Sequence, residues 1–273
     1  MRVTLLGTGD TTGTPTPGCS CDTCEAAVDR DIERTRFSVH IENERTGESF
    51  LVDMSPDARY QLLRDSVSLP DEVIITHIHF DHLDGLGNAY RLLDSLPVHA
   101  AAAVDPQTGE SVAETIAQKY DYLDQLDVHP QQPFEPFEIC GVTATLVPVE
   151  HPPLACYGLA IEDETGAKLS ITGDTNFAVP DASRDVLSDA DLLLADAIVP
   201  ARLCKHHPLG GTHENEAGVP RTFGTKHMTT EGALSLAAEL NAAQTRLVHV
   251  SHFPTPEEAF GEHTAVDGEQ YIL

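Results

Sequence analysis

Basic charge is what this sequence has least of. Its 16 Lys and Arg stand against 44 Asp and Glu, a formal net charge of −28, and Lys119, Lys168, Lys205 and Lys226 are the only lysines. Phosphate backbones are held through a basic footprint, so this balance argues against nucleic acid as a general partner. Long apolar runs are also missing. Nothing approaches the roughly 18 residues that span a bilayer, and no charged-then-apolar leader is read, so a soluble, cytoplasmic protein without a membrane partner is expected. Cysteine is sparse and unevenly placed: of six in 273 residues, Cys19, Cys21 and Cys24 fall together. That spacing suits a metal rather than a disulfide framework.

The acidic residues are spread along the chain instead of forming a tail. Self-repulsion of this size destabilises a compact state at low ionic strength. At molar salt the Debye length shrinks to about 3 Å and most of the penalty disappears. A salt-adapted protein from a halophile is the expectation. The length is enough for a substantial core, and no linker or internal repeat cuts the chain, so a single domain over 1–273 is expected.

The organising stretch is His77-Ile78-His79-Phe80-Asp81-His82, which closes the apolar run Glu72-Val73-Ile74-Ile75-Thr76. That run reads as a buried strand. His77 and His79 leave an extended chain on the same side, and Asp81 and His82 follow as the backbone turns. Three imidazoles and a carboxylate in six residues can begin to hold more than one metal. Upstream, strands are read at Val3–Leu6, Phe37–Ile41 and Ser49–Asp53. A helix is read from Ser55, as cap, and Pro56 to about Arg64. Asp53 reads either as a carboxylate orienting a ligand histidine or as a turn residue ending its strand. Downstream, apolar spacing predicts helices over Leu83–Leu96, Gln107–Tyr120 and Thr230–Asn241. Strands are predicted at Pro97–Ala100, Val142–Val149, Lys168–Thr172, Asp191–Val199 and Arg246–Val248. His99 and His129 read as structural.

Strand ends recur as sites for ligand-type residues: His151, then Asp174 in Gly173-Asp174-Thr175, then His249 or His252 in His249-Val250-Ser251-His252. Strands cluster as hairpins in each half with helices between, which predicts two sheets packed face to face with helices outside. Cys19, Cys21 and Cys24 in a Gly/Pro-rich loop offer three thiolates, one ligand short of a tetrahedral site.

The order H-x-H-x-D-H, a lone His, a Gly-Asp-Thr aspartate and a late His after a strand resembles the metallo-β-lactamase superfamily over nearly the full chain. The resemblance implies an α/β fold, the αββα metallo-β-lactamase-like sandwich. It implies a dinuclear site with His77, His79 and His151 on one ion, Asp81, His82 and His249 on the other, and Asp174 shared. Two ions about 3.5–4 Å apart clamp an in-line displacement and lower the pKa of bridging water; zinc and manganese both suit the ligands. Gly7-Thr8-Gly9, the Cys19/Cys21/Cys24 cluster and His249-Val250-Ser251-His252 together look like the phosphoribosyl cyclic phosphodiesterases of phosphonate breakdown. In that family three early cysteines and one late histidine hold a structural zinc, which places His252 as the fourth ligand. The same resemblance gives His227 a substrate-side role, donating a proton or holding phosphate, beside Asp81 as a catalytic residue, and suggests a homodimer.

The expected function is therefore hydrolysis of a small cyclic or diester phosphate. Two alternatives stand. The tRNA 3′-end endonuclease of the same fold lacks a counterpart here for its basic tRNA-gripping arm. A non-catalytic carrier resembling the pyrroloquinoline-quinone biosynthesis B protein shares the cysteine cluster, but a complete ligand set argues against it. Residues 200–227 depart from the family pattern as a longer Gly/Pro-rich loop carrying Arg202, Lys205, Arg221 and Lys226, read as a basic lid over an anionic substrate.

Overall fold

The computed structural model describes residues 1–273. Six strands come first: β1 (Arg2–Gly7), β2 (Ser38–Glu42), β3 (Ser49–Val52), β4 (Glu72–Ile75), β5 (Leu96–Ala101) and β6 (Leu126–Gln131). They lie side by side in chain order. The β1–β2 and β2–β3 pairs are antiparallel, and β3 to β6 run parallel. The second sheet is built by β7 (Phe137–Ile139), β8 (Val142–Val149), β9 (Cys156–Glu162), β10 (Lys168–Ile171) and β11 (Leu192–Asp196). Three short strands, β12 (Gly211–Thr212), β13 (Thr222–Phe223) and β14 (His227–Met228), make a small third sheet. β15 (Gln244–Val248) then returns to the second sheet beside β11, and β16 (Gln270–Ile272) covers the free edge of β1.

Eight helices fill the connections: α1 (Asp22–Asp29), α2 (Ala58–Asp65), α3 (Phe80–Leu83), α4 (Ala89–Leu92), α5 (Val112–Lys119), α6 (Asp181–Leu187), α7 (Thr230–Glu239) and α8 (Pro256–Ala259). None is long and apolar enough to cross a membrane. β11 shows how the layers stack. Its side chains alternate between faces: Leu192 and Leu194 join the large core shared by both sheets, whereas Leu193 and Ala195 join a smaller one with Leu187, Leu236 and Leu240 of the α6 and α7 regions. A strand buried on both faces needs an unbroken apolar run, and this is why 191–199 reads as nearly all apolar. The large core continues to Leu62 of α2 and to Val112 and Ile116 of α5. The result is the expected helix–sheet–sheet–helix sandwich.

Local expectations failed where tertiary contact or capping overrode apolar spacing. The helix expected over 83–96 is broken into α3, a 3₁₀ turn at Asp84–Asn88 and α4, where Tyr90 and Arg91 leave helical geometry. Gly85 presses on the chain beyond β3, and a Cβ there would lie 2.1 Å from the Ser55 carbonyl oxygen. The next helix starts at Val112 rather than 107, because Ser111 and Glu114 form a reciprocal capping box. Ser55 accepts from the Asp57 amide in a turn of its own, 3.2 Å, so α2 begins at Ala58. Residues 200–227 are not an irregular loop: they carry a 3₁₀ helix at Ala201–His206, then β12, β13 and the start of β14.

Since β8 runs antiparallel to β9 and β9 to β10, β8 points the same way as β10, β11 and β15. The carboxyl ends of these four therefore open at one edge of the second sheet, as those of the parallel β3 and β4 do in the first.

Candidate metal centre

β4 buries Val73, Ile74 and Ile75 completely, so the chain leaves the core at His77 with its side chain still enclosed. His77 Nε2 lies 2.9 Å from His79 Nδ1, and His151 Nε2 lies 3.3 Å from the same atom. With Asp174 these residues form one group whose ligand atoms all lie within 4.8 Å of one another. Burial holds His77 well below its ordinary pKa and His151 down at about 3, so both imidazoles keep a lone pair. For His151 the tautomer is set by the backbone. Its Nδ1 donates to the Lys226 carbonyl, 3.1 Å, which leaves Nε2 as the unprotonated atom facing the group.

Asp81, His82 and His249 form a second group. Asp81 and His82 leave the first turn of α3, and the Thr11 hydroxyl donates to Asp81 Oδ2 at 2.5 Å. Asp174 faces both groups: its Oδ2 is 3.7 Å from His77 Nε2, 3.4 Å from His82 Nε2 and 3.3 Å from His249 Nε2. The preceding Gly173 has φ +63°, and a Cβ on it would stand 2.5 Å from the Tyr157 carbonyl oxygen. Only glycine lets the chain turn Asp174 inward there. His249 itself adopts φ +58°, a left-handed conformation that a non-glycine residue holds at some cost.

Asp53 is a strand-ending turn residue that also contacts a histidine of the second group. It follows the end of β3 with φ +59°, and its buried Oδ2 lies 2.6 Å from His82 Nδ1. The Thr76 amide and hydroxyl each donate to the same carboxylate at 2.8 Å. Against the cost of burial, Asp174 and Asp53 hold His82 well above its ordinary pKa, and Asp174, Asp81 and Asp196 raise His249 to about 9. Asp174 is held well below the carboxylate range despite its burial, chiefly by His249 and His82.

The donor set fits divalent cations. His82 Nε2 and both ring nitrogens of His249 are buried without a hydrogen-bond partner, a state that buried polar atoms rarely tolerate. Neutral imidazoles stand on one side and carboxylates with charge-compensating histidines on the other. A pair of cations would satisfy both.

His227 stands at the same mouth, its ring stacked on His249 with centroids 4.9 Å apart. Its Nδ1 is 2.9 Å from Asp196 Oδ2, which also accepts from the Thr175 amide at 2.9 Å. Burial pushes the Asp196 carboxyl above its ordinary value, against the pull of His227. Asp196 was not singled out from the sequence. The available signal was a charged residue closing the apolar Leu192–Ala195, the pattern Asp53 shows after β3.

Three residues beyond His249, His252 meets Cys19, Cys21 and Cys24 in a separate cluster. Their sulfurs lie 3.4, 3.5 and 3.7 Å from His252 Nδ1. A tetrahedral zinc with Zn–S near 2.3 Å and Zn–N near 2.0 Å separates S from N by about 3.5 Å. The four residues fit that ion. His99 is elsewhere, paired with Glu72 at 2.6 Å and stacked on Phe137, and with His129 it lies outside both sites.

Residues 48–250 match the beta-lactamase superfamily domain model. Over its whole length the chain is 27% identical to an octanoyltransferase of Porphyromonas gingivalis, of which it spans only 52%. Among solved structures, a diphosphatase from the PhnP family superposes with TM-score 0.77 at 27% identity, covering 99% of this chain and 97% of that one. Zn2+-bound PqqB from Methylobacterium extorquens superposes with TM-score 0.76 at 21% identity over all of both chains, a likeness of fold.

Proposed function

Because the chain belongs to the beta-lactamase superfamily, we propose that it is a metal-dependent phosphodiesterase acting on a small cyclic or diester phosphate of the phosphoribosyl cyclic phosphate type. The observation that carries this reading is Asp174, whose Oδ2 lies within 3.7 Å of ring nitrogens from both histidine groups. A carboxylate so placed can bridge two ions, with His77, His79 and His151 on one and Asp81, His82 and His249 on the other. Two divalent ions, zinc or manganese, would polarise the phosphoryl oxygens and provide hydroxide at neutral pH.

The chain's own part is positioning and proton management. His227 donates Nδ1–H to Asp196, 2.9 Å, so its Nε2 is the atom left for the substrate. As imidazolium it would hand a proton to the departing oxygen, with the buried Asp196 carboxylate stabilising the charge on the ring. Asp81 is anchored by Thr11 and completes the second group. Cys19, Cys21, Cys24 and His252 hold a structural zinc in this reading. Such an ion would tie the loop before α1 and the first turn of α1 to the segment before α8, a join that the Thr23 hydroxyl reinforces by donating to the Pro254 carbonyl. The likeness to a PhnP-family diphosphatase supports phosphoryl chemistry at such a site.

We read the net charge of −28 as adaptation to salt, so the test belongs in molar KCl. Protein loaded with Mn2+ or Zn2+ is offered ribose cyclic phosphate, nucleoside cyclic phosphates and a linear aryl diester. Turnover of the cyclic ribosyl phosphate, falling about 100-fold or more in Asp196→Asn and His227→Ala, supports the proposal. Absence of turnover on every diester with both ions bound would overturn it.

A further inference from the structure

A cation in the second group would satisfy only one of the two ring nitrogens of His249. Nε2 faces Asp174 and Asp81, at 3.3 and 3.7 Å, which is the side an ion would occupy. Nδ1, on the other edge of the ring, is buried and makes no hydrogen bond. An imidazole that gives Nε2 to a metal carries its proton on Nδ1, and a buried N–H needs an acceptor. Asp196 Oδ1 lies 3.8 Å away, too far for a direct hydrogen bond, and is itself buried without a partner.

The strand pattern explains why Asp196 is there. Side chains of β11 alternate between faces, and Leu192 and Leu194 enter the large core between the sheets. Asp196, two residues further on, enters from the same face, level with Val248 at the end of β15. Its amide donates to the Thr172 hydroxyl at 3.0 Å, which fixes the backbone. Its Oδ2 is occupied by His227 Nδ1 and the Thr175 amide, both at 2.9 Å. Asp196 and His249 then line, with Asp174 and the apolar Phe37, Ile171 and Val248, a small internal cavity of about 10 Å³. That is close to the least room that holds one water molecule, and cavities that stay dry are lined by apolar groups alone. Here the lining brings an unpartnered donor and an unpartnered acceptor to the same space.

We propose that this cavity is a site for one structural water, which accepts from His249 Nδ1–H and donates to Asp196 Oδ1, making Asp196 a positioning residue for His249 as well as for His227. A polar contact across more than 3.5 Å is bridged in this way at little loss against a direct bond. One carboxylate then sets two histidines. Oδ2 aims His227 at the mouth, and Oδ1, through the water, holds the His249 ring with Nε2 toward the second ion. Asp53 does the same for His82 without an intermediary, at 2.6 Å.

A high-resolution crystal structure of the metal-loaded protein should show one ordered water within about 2.7–3.2 Å of both His249 Nδ1 and Asp196 Oδ1. A dry cavity, or the two side chains closed to direct hydrogen-bond distance, would overturn the proposal. Chelator competition supplies the second test. In Asp196→Asn the amide oxygen must stay at the Oδ2 position to accept from Thr175 and His227, so the amide nitrogen takes the place of Oδ1 and the water loses its acceptor. One ion should weaken about 10- to 100-fold, whereas His227→Ala, which removes a partner of Oδ2 alone, should leave both ions within about threefold. Unchanged affinity in Asp196→Asn refutes the role, and so does equal weakening in the two variants, because Asp196 would then act on the ions through His227. The inference rests on the assignment of His249 to the second ion and not on the substrate. Protein that binds both ions, shows the water and hydrolyses no diester keeps it and loses the phosphodiesterase reading; protein that takes up no second ion loses the ligand assignment and this inference together.

Discussion

Replacing Asp53 by Asn tests whether one buried carboxylate sets the state of a metal-site histidine. Asp53 Oδ2 lies 2.6 Å from His82 Nδ1, and the Thr76 amide and hydroxyl both donate to the same carboxylate at 2.8 Å. An amide has a single acceptor oxygen for these three donors. If its nitrogen faces His82, two N–H groups meet unless His82 shifts its proton to Nε2, the atom 3.4 Å from Asp174. If the amide flips, its nitrogen meets the Thr76 N–H instead. Either way Nε2 loses its availability or a buried donor is orphaned. Loss of such an orienting partner costs about 10- to 100-fold in metal affinity, roughly 1.4–2.8 kcal/mol. The fold itself should survive, because burial pushes the Asp53 carboxyl above its ordinary value and a neutral amide escapes that penalty. Competition titration with a chromophoric chelator should show one weakened equivalent per chain, with the thermal midpoint of metal-free protein within a few degrees, about 1 kcal/mol. Affinity unchanged within threefold in a folded Asp53→Asn protein would refute the tautomer argument.

Two further outcomes follow from other parts of the molecule. His252→Ala should cost one metal equivalent by elemental analysis while the other two stay bound, and lower the melting temperature by about 5–15 °C, as expected for losing a structural ion in a chain of this size; unchanged metal content would show that the cysteine cluster needs no fourth ligand. His40 is 1% exposed and reaches Ser68 Oγ at 3.2 Å, and burial holds its pKa down at about 4. The folded chain therefore binds fewer protons here than the unfolded chain, so stability is full above pH 6.5 and falls as pH drops toward 4. Relative to the stability well above pH 6.5, the loss at pH 5 is about 2 kcal/mol, the slope approaching about 1.4 kcal/mol per unit only below pH 6. Urea midpoints of the wild type should fall faster with pH than those of His40→Gln, and parallel pH profiles would remove His40 from the account.

What could be read in advance divides by whether a residue's meaning is local. His77, His79, Asp81 and His82 are neighbours in the chain, and four ligand types in six positions have few other uses. His151, Asp174 and His249 are single residues, legible only because each follows a buried strand whose carboxyl end faces one edge. Asp196 obeys the same rule, yet an aspartate ending a strand is ordinary turn chemistry until His227, 31 residues away, closes on it at 2.9 Å. The sandwich was legible because β4, β10 and β11 are apolar enough to be buried on both faces. β12, β13 and β14 were not, since two residues carry no periodicity. Least legible is the Lys226 carbonyl, a backbone atom common to every residue, which selects the His151 tautomer through the position of a turn. The parts that hold ions are thus written in residue types, and the parts that aim them are written in geometry. A variant that keeps every ligand but shortens the β13–β14 turn should lose the aim of His151 while its ligand pattern reads unchanged.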